Sequence, residues 1–313
     1  MKKLVEFIKQ GNAFAIISHT SPDGDTMGSA AALIYALKKL GKKAKWFCDG
    51  EIPHDFMNLE QIASLVKKND LKKYDSIICV DAADKDRLGK NKQMIENFPR
   101  VAQIDHHVSN TNYAPINVVR DRNACAFAVL ELIDELNVEI TTDIARALYV
   151  GICTDTGRLS YSTTVEQDVL DTARLYKYNL RPDLIVATLF KTKTLAATKL
   201  SGRAIDHLAT AFDGKVVYTY LDSEDFSSCN ATNADSEGII ETCRNVEGAL
   251  IAFFIRQTFD GYKVSMRGTP GYNVLEICQK FSGGGHVLAA GCTIDKKRDD
   301  VIKAVLEEIK KII

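Results

Sequence analysis

The 313-residue chain is long enough for two hydrophobic cores, and its 46% apolar and 26% charged residues are the balance of a globular protein. Lys and Arg total 40 against 41 Asp and Glu, a net charge of -1. Gripping long duplexes through their phosphates needs an excess of positive charge, so the composition excludes a duplex-DNA binder and leaves short nucleic acid held in a local pocket.

The opening residues, MKKLVEFIKQ, lead into no apolar signal region with a cleavage site, and no run approaches the about 20 apolar residues that cross a bilayer. Eight cysteines, at 48, 79, 125, 153, 229, 243, 278 and 292, form no CxxC pair. Their apolar settings predict buried free thiols in a reducing cytoplasm, with no membrane partner, rather than a disulfide framework or a zinc site.

Residues 13–18, 43–48, 75–80 and 100–104 are short apolar runs with polar flanks and read as buried strands. They alternate with helical patterns at 27–41, 59–68 and 123–136, which predicts an α/β domain with a mostly parallel sheet flanked by helices. Helical patterns continue over 141–153, 164–177 and 182–190. The stretch 191–200, KTKTLAATKL, lacks a strong apolar stripe and is the expected linker between a domain at 1–190 and another at 201–313. In the latter, 215–221, 249–257 and 262–268 read as strands and 273–281 and 299–313 as helices, a smaller α+β unit.

Three predicted strands run into acids and imidazoles: 13–18 into His19, Asp23 and Asp25; 75–80 into Asp81, Asp84 and Asp86; 100–104 into Asp105, His106 and His107. In an open α/β sheet, active-site residues gather at the carboxyl ends of parallel strands, so these groups are expected to converge. Asp155, in GICTDTG after an apolar helix, is a fourth contributor. Taken singly, each has an ordinary explanation: Asp23-Gly24 is a turn dipeptide, Asp105 a cap, Asp84 and Asp86 solvated loop acids. Four such motifs in order, each at the end of an element, shift the balance toward a site.

Imidazole and carboxylate without thiolate suit Mn2+ or Mg2+. Four or five clustered aspartates would repel each other unless cations neutralised them, and their number points to two ions. Two ions about 3.5–4 Å apart can hold a bridging hydroxide and stabilise both oxygens of a phosphoryl transfer. In the second half, Gly283, Gly284 and Gly285 permit close backbone approach and positive φ, forming an N–H-lined concavity for an anion. His286 follows, and HVLAAG is expected to open a helix whose N-terminus also favours phosphate. Arg267, and more weakly Arg256, could pair with a terminal phosphate, and Tyr113 could stack on a base.

HTSPDGDTMGS (19–29), VDAADKDRLG (80–89), DHH (105–107), CTDTGRLS (153–160) and SGGGH (282–286) with AAG (289–291) resemble, in order, the motifs of the DHH phosphoesterase superfamily and its DHHA1 domain. The length and layout are most similar to the NrnA-type oligoribonuclease/phosphatases. The resemblance implies an active site in the cleft between the domains, with one ion held by His19, Asp23 and Asp81 and another by Asp25, Asp81, His106 and Asp155. It places His107 beside the reacting phosphate and Asp105 behind the imidazoles as their orienting acid, while Arg267 and Gly283–His286 are expected on the substrate from their own chemistry. It implies two Mn2+ ions, with Mg2+ or Co2+ as substitutes, and a chain compatible with a homodimer. The implied substrates are di- to pentanucleotides of RNA or pApA, cleaved to mononucleotides, and 3′-phosphoadenosine 5′-phosphate, cleaved to AMP; cyclic di-AMP is the alternative. Thr26, Met27 and Cys125 depart from the usual pattern at positions that carry no ligand.

Three rivals are weaker. A family II pyrophosphatase would carry a basic SRKKQ-like motif where this chain has SGGGH, and a processive RecJ-type exonuclease would need further domains and a basic path. A non-catalytic nucleotide sensor would be expected to have lost a ligand position, whereas all six are intact.

Overall fold

Strands β1 (Ala13–Ile17), β3 (Ser76–Val80) and β4 (Val101–Asp105) are buried at every residue in the computed structural model, which describes residues 1–52, 56 and 73–313. With β2 (Lys43–Phe47) and β5 (Ile116–Val119) at the edges they form a parallel sheet in the order β2-β1-β3-β4-β5. Cover on both faces explains why the central strands read as unbroken apolar runs instead of alternating. This sheet belongs to the first of two compact units, Met1–Thr192; Lys193–Ile313 is the second.

The first unit also contains α1 (Lys2–Gln10), α2 (Gly24–Lys39), α3 (Lys92–Glu96), α4 (Cys125–Glu135), α5 (Thr142–Asp155), α6 (Glu166–Leu175) and α7 (Pro182–Val186). Capping sets where two of them begin: the Asp23 carboxylate accepts from Thr26 N at 3.0 Å, and the Thr141 hydroxyl from Ile144 N at 3.3 Å. One sheet face, with Phe14 and Ile16, packs on α2, α4 and α5 through Leu33, Leu37, Phe127 and Leu148; the other, with Ala15 and Ile17, joins Cys79 and Leu88 in a smaller core. Helices α2 and α5 touch backbone to backbone. A methyl group on Gly28 would lie 2.4 Å from Ala147 O and 2.6 Å from Gly151 N.

The second unit comprises α8 (Leu195–Asp206), β6 (Ala209–Ala211), β7 (Val216–Leu221), α9 (Ser223–Cys229), α10 (Ile239–Arg244), β8 (Ile251–Thr258), β9 (Gly261–Gly268), α11 (Val274–Gln279), β10 (Gly284–His286), β11 (Ala289–Ile294) and α12 (Arg298–Ile309). Its sheet runs β10-β11-β9-β8-β7-β6, with β7 and β8 parallel and the other pairs antiparallel. Alternation along β9 sends Tyr262, Val264 and Met266 into a core with Val274 and Val301, and leaves Lys263, Ser265 and Arg267 on the opposite face.

The α/β class and the order of the principal elements agree with the sequence reading, and three differences stand out. HVLAAG does not open a helix: β10 and β11 form an antiparallel hairpin, its turn held by Val274 N donating to Val287 O at 2.9 Å. The expected linker is helical from Leu195, because Thr194 caps it and Ala197, Leu200 and Ala204 form a short buried apolar stripe. Helix α1, whose buried Leu4, Val5, Phe7 and Ile8 do recur at helical spacing, and the short strands β5, β6, β10 and β11 were not read from the sequence. The helix expected at 59–68 lies outside the described residues. Among the described residues, no helix is long and apolar enough to cross a membrane, and the eight cysteines are free.

Candidate metal centre

The carboxyl ends of β1, β3 and β4 deliver His19, Asp81 and the Asp105-His106-His107 run; Asp23 and Asp25 start α2, and Asp155 is the last residue of α5. Ligand atoms of His19, Asp23 and Asp81 lie within 4.8 Å of one another, as do those of Asp25, His106 and Asp155, and those of Asp81, His106 and His107. Asp81 faces both sides. Its Oδ2 is 3.7 Å from His19 Nε2, and its Oδ1 is 3.5 Å from His106 Nε2. His106 Nε2 is also 3.3 Å from Asp155 Oδ2 and 3.7 Å from Asp25 Oδ2. Asp81 adopts a left-handed φ of 54°, an uncommon and costly conformation for a non-glycine residue that turns its carboxylate in among these groups.

Hydrogen bonds fix the direction of the rings. His106 Nδ1 is 2.9 Å from the Arg122 carbonyl and His107 Nδ1 is 2.9 Å from Asp105 Oδ1. Both partners accept only, so both Nδ1 atoms carry protons and leave Nε2 as the second nitrogen of each ring. Asp105 also accepts from Asn110 Nδ2 at 2.5 Å through its other oxygen. Asp25 is buried and accepts from Cys125 N at 2.5 Å, Ala126 N at 2.9 Å and the Ser29 hydroxyl at 3.2 Å. The Thr26 hydroxyl donates to Asp81 Oδ2 at 2.6 Å and lies 2.6 Å from His19 Nε2.

The cluster strains its own protonation. Burial, then the charges of Asp81 and Asp155, push the Asp25 carboxyl well above its usual range. Burial likewise raises Asp155 to about 6, with Asp81 and Asp23 adding to the rise and His106 opposing it. Burial would lower His106, but the Asp81 carboxylate 3.5 Å away and the charges of Asp25 and Asp155 win and push it up to about 10. Burial would raise Asp81, yet the His106 and His19 imidazoles, 3.5 and 3.7 Å away, and the Thr26 hydroxyl hold its carboxyl below the usual range. His107 is raised chiefly by its hydrogen bond with Asp105.

These observations fit divalent cations. Asp81 Oδ1 and His19 Nδ1 are buried without a hydrogen-bond partner among the described residues. Acids crowded at this distance retain protons that a cation would replace. Imidazole and carboxylate are the donors, and the nearby Cys125 thiol is held protonated by burial.

Several residues of the site escaped the sequence reading. Thr26, a departure from the usual motif, sits between His19 and Asp81, and the amide of Cys125 supports Asp25. Asn110, five residues beyond Asp105, and the carbonyl of Arg122 have no motif of their own; the contacts that identify them are tertiary. Asp84 and Asp86 stay outside: Asp84 caps the turn that follows, and Asp86 pairs with Lys92. Tyr113 is not a stacking platform, because it packs against the core of Ala15, Ile17 and Cys79 with its hydroxyl buried.

In the second unit, register places Ala252, Arg267, Ala289 and His286 in one row across β8, β9, β11 and β10, so Arg267 and His286 share a sheet face. Arg267 Nε donates to Glu241 at 3.2 Å, and His286 is exposed. Of the three glycines only Gly285 takes a positive φ, 138°, where a side chain would meet Ala289 O at 2.6 Å. The run is therefore the edge of a hairpin, which corrects the expected N–H concavity. Arg256 Nη1 donates to Asn233 O at 3.4 Å.

Residues 13–152 match the DHH family, N-terminal domain, and residues 213–313 match the DHHA1 domain. The bifunctional oligoribonuclease and PAP phosphatase NrnA of Thermus thermophilus is 32% identical over 95% of this chain and 90% of its own length. The cyclic-di-AMP phosphodiesterase PdeA of Listeria monocytogenes is 25% identical over 96% of this chain, which spans 48% of that relative. An exopolyphosphatase-related protein from Bacteroides fragilis superposes with a TM-score of 0.93 at 20% identity, over 99% of this chain and 95% of its own. With both domains matched in order and a relative of this identity along nearly its whole length, the chain belongs to the DHH/DHHA1 phosphoesterase family and is a hydrolase.

Proposed function

We propose that this hydrolase is a two-metal phosphoesterase of short nucleotides, cleaving di- to pentanucleotides such as pApA to mononucleotides and 3′-phosphoadenosine 5′-phosphate to AMP. The observation that carries the reading is the division of Asp81, one oxygen facing His19 and the other His106, between two ligand groups. His19, Asp23 and Asp81 would hold one divalent ion, Mn2+ for preference, and Asp25, Asp81, His106 and Asp155 the other, with Mg2+ or Co2+ as substitutes. When bound, such a pair supplies an activated water and neutralises charge on the reacting phosphate.

The chain's own groups complete the chemistry. Asp105 orients His107 through Nδ1 and favours its imidazolium form, in which Nε2 also carries a proton and can donate a hydrogen bond to the phosphate or that proton to the leaving oxygen. Arg267 and His286, in one row, would bind a non-reacting phosphate or the nucleotide. The near-neutral charge supports short substrates over duplex DNA, and the free thiols suit a reducing cytoplasm. Likeness to PdeA along the chain favours cyclic di-AMP as the second reading.

The test is incubation of the purified protein with Mn2+ and a panel of 3′-phosphoadenosine 5′-phosphate, pApA, cyclic di-AMP and an oligoribonucleotide ladder, products being resolved by chromatography. Turnover of the linear short substrates is expected; cleavage of cyclic di-AMP alone would establish the second reading. Equal turnover of a dinucleotide and a long strand would overturn the length preference.

A further inference from the structure

The segment Arg122–Ala126, running from the loop after β5 into the first turn of α4, contributes no side chain to the ligand groups, yet it touches two of their members. The Arg122 carbonyl accepts a hydrogen bond from His106 Nδ1, and the amides of Cys125 and Ala126 donate to the two oxygens of Asp25. The path of this backbone therefore decides where His106 Nε2 and the Asp25 carboxylate point.

That path is tied to α6. Arg122 donates from Nε and Nη2 to Asp168 Oδ1 at 3.2 and 3.1 Å, and from Nη2 to Asp171 Oδ2 at 2.8 Å. Its guanidinium lies 4.3 Å from the centre of the Phe127 ring. Asn123 donates to the other oxygen of Asp168 at 2.6 Å and to Thr163 O at 2.7 Å. Both acids are buried, Asp168 completely and Asp171 to 8% exposure. A buried ion pair of this kind is often no more stabilising than apolar residues of the same volume, so its value here is geometric.

We infer that Arg122, Asp168 and Asp171 are positioning residues, a clasp that aims His106 and Asp25 and so sets affinity for the ion those ligands would hold. The inference rests on the two-ion reading above. Groups behind metal ligands commonly change metal affinity about 10- to 100-fold when removed. The backbone contacts of this segment go to His106 and Asp25, members of one ligand group, so the effect is expected to fall on one ion.

Titration with Mn2+ alone, followed by calorimetry and by the electron paramagnetic resonance of free Mn2+, tests this on the full chain. Asp168→Asn keeps the shape and removes the charge. Should it fail to fold, the pair Arg122→Gln with Asp168→Asn leaves no unpaired guanidinium. The wild type is expected to bind two ions, and the variant to bind one of them as before and the other about 10- to 100-fold more weakly. In a His19→Ala background the remaining ion should weaken when Asp168→Asn is added; in an Asp155→Ala background it should not. Unchanged binding of both ions, or equal weakening of both, overturns the clasp while leaving the two-ion reading in place. A wild type that binds fewer than two ions overturns that reading and this inference with it.

Discussion

Gly28 and Gly151 bring α2 and α5 into backbone contact: a methyl group on Gly28 would lie 2.6 Å from the Gly151 amide nitrogen. The crossing matters because each helix carries an acid of the cluster, Asp25 at the start of α2 and Asp155 at the end of α5. Neither glycine has a positive φ, so close approach is the reason for its lack of a side chain. Gly28→Ala is expected to force the helices apart, costing about 1–3 kcal/mol by overpacking. Mn2+ affinity should fall with it. Thermal unfolding and ion titration check this; a variant with parental Tm and parental affinity would show the contact to be dispensable.

Asp81→Ala and Asp155→Ala are each expected to abolish hydrolysis while circular dichroism stays that of the parent. They should differ in metal content. Asp81 faces both ligand groups and its loss disturbs both ions, whereas Asp155 lies only with Asp25 and His106. Mn2+ stoichiometry separates the two. Retention of two ions by Asp81→Ala would contradict its shared role.

His107→Ala should keep its ions and lose about a hundredfold or more in kcat, the scale of one acid–base group. Although His107 forms a third close group with Asp81 and His106, its Nδ1 is engaged by Asp105. Asp105→Asn should reproduce part of the loss by weakening that orientation. Release of an ion from His107→Ala would make the residue a ligand instead.

Stability in chelator should fall as the pH rises. His106 is raised from 6.5 to about 10, so its contribution is complete below pH 6.5 and is lost as the pH climbs through about 10. Asp155, raised from 3.8 to about 6, holds a proton in the folded chain that the unfolded chain has released, so its contribution is lost between those values. Asp25, also raised, acts in the same sense, and Asp81, lowered, in the opposite one, adding stability that is lost only in acid. Tm measured in chelator from pH 6.5 to about 10 is expected to decrease, and saturating Mn2+ to remove most of the decrease by replacing the protons. A flat profile in chelator would contradict this account.

Arg267→Ala and His286→Ala are expected to lower kcat/KM on nucleotide substrates by about tenfold or more, roughly 1.4 kcal/mol, because binding of remote groups helps place the reacting phosphorus. A generic ester without a nucleotide, such as bis-p-nitrophenyl phosphate, should be much less affected, and metal content unchanged. Equal losses on both substrates would remove these residues from substrate recognition.

The sequence by itself determined the α/β class and the candidate ligands. Unbroken apolar runs such as AFAII and SIICV mark strands covered on both faces, and each runs directly into the polar residues of the site. His19, Asp81 and His106 could be named because parallel strands in one sheet bring their carboxyl ends together whatever the intervening chain does. Tertiary structure alone decided the rest. Thr26 carries no signal of its own until α2 turns its hydroxyl between His19 and Asp81. SGGGH reads as an anion loop or a flexible turn, and the pairing of Gly284–His286 with Ala289–Gly291 made it a strand. Arg122 and Asp168, 46 residues apart, look like solvated charges in the sequence. A carbonyl that orients a ring, or a buried acid that fixes that carbonyl, acts through direction in space, and a linear pattern of residue types does not record direction.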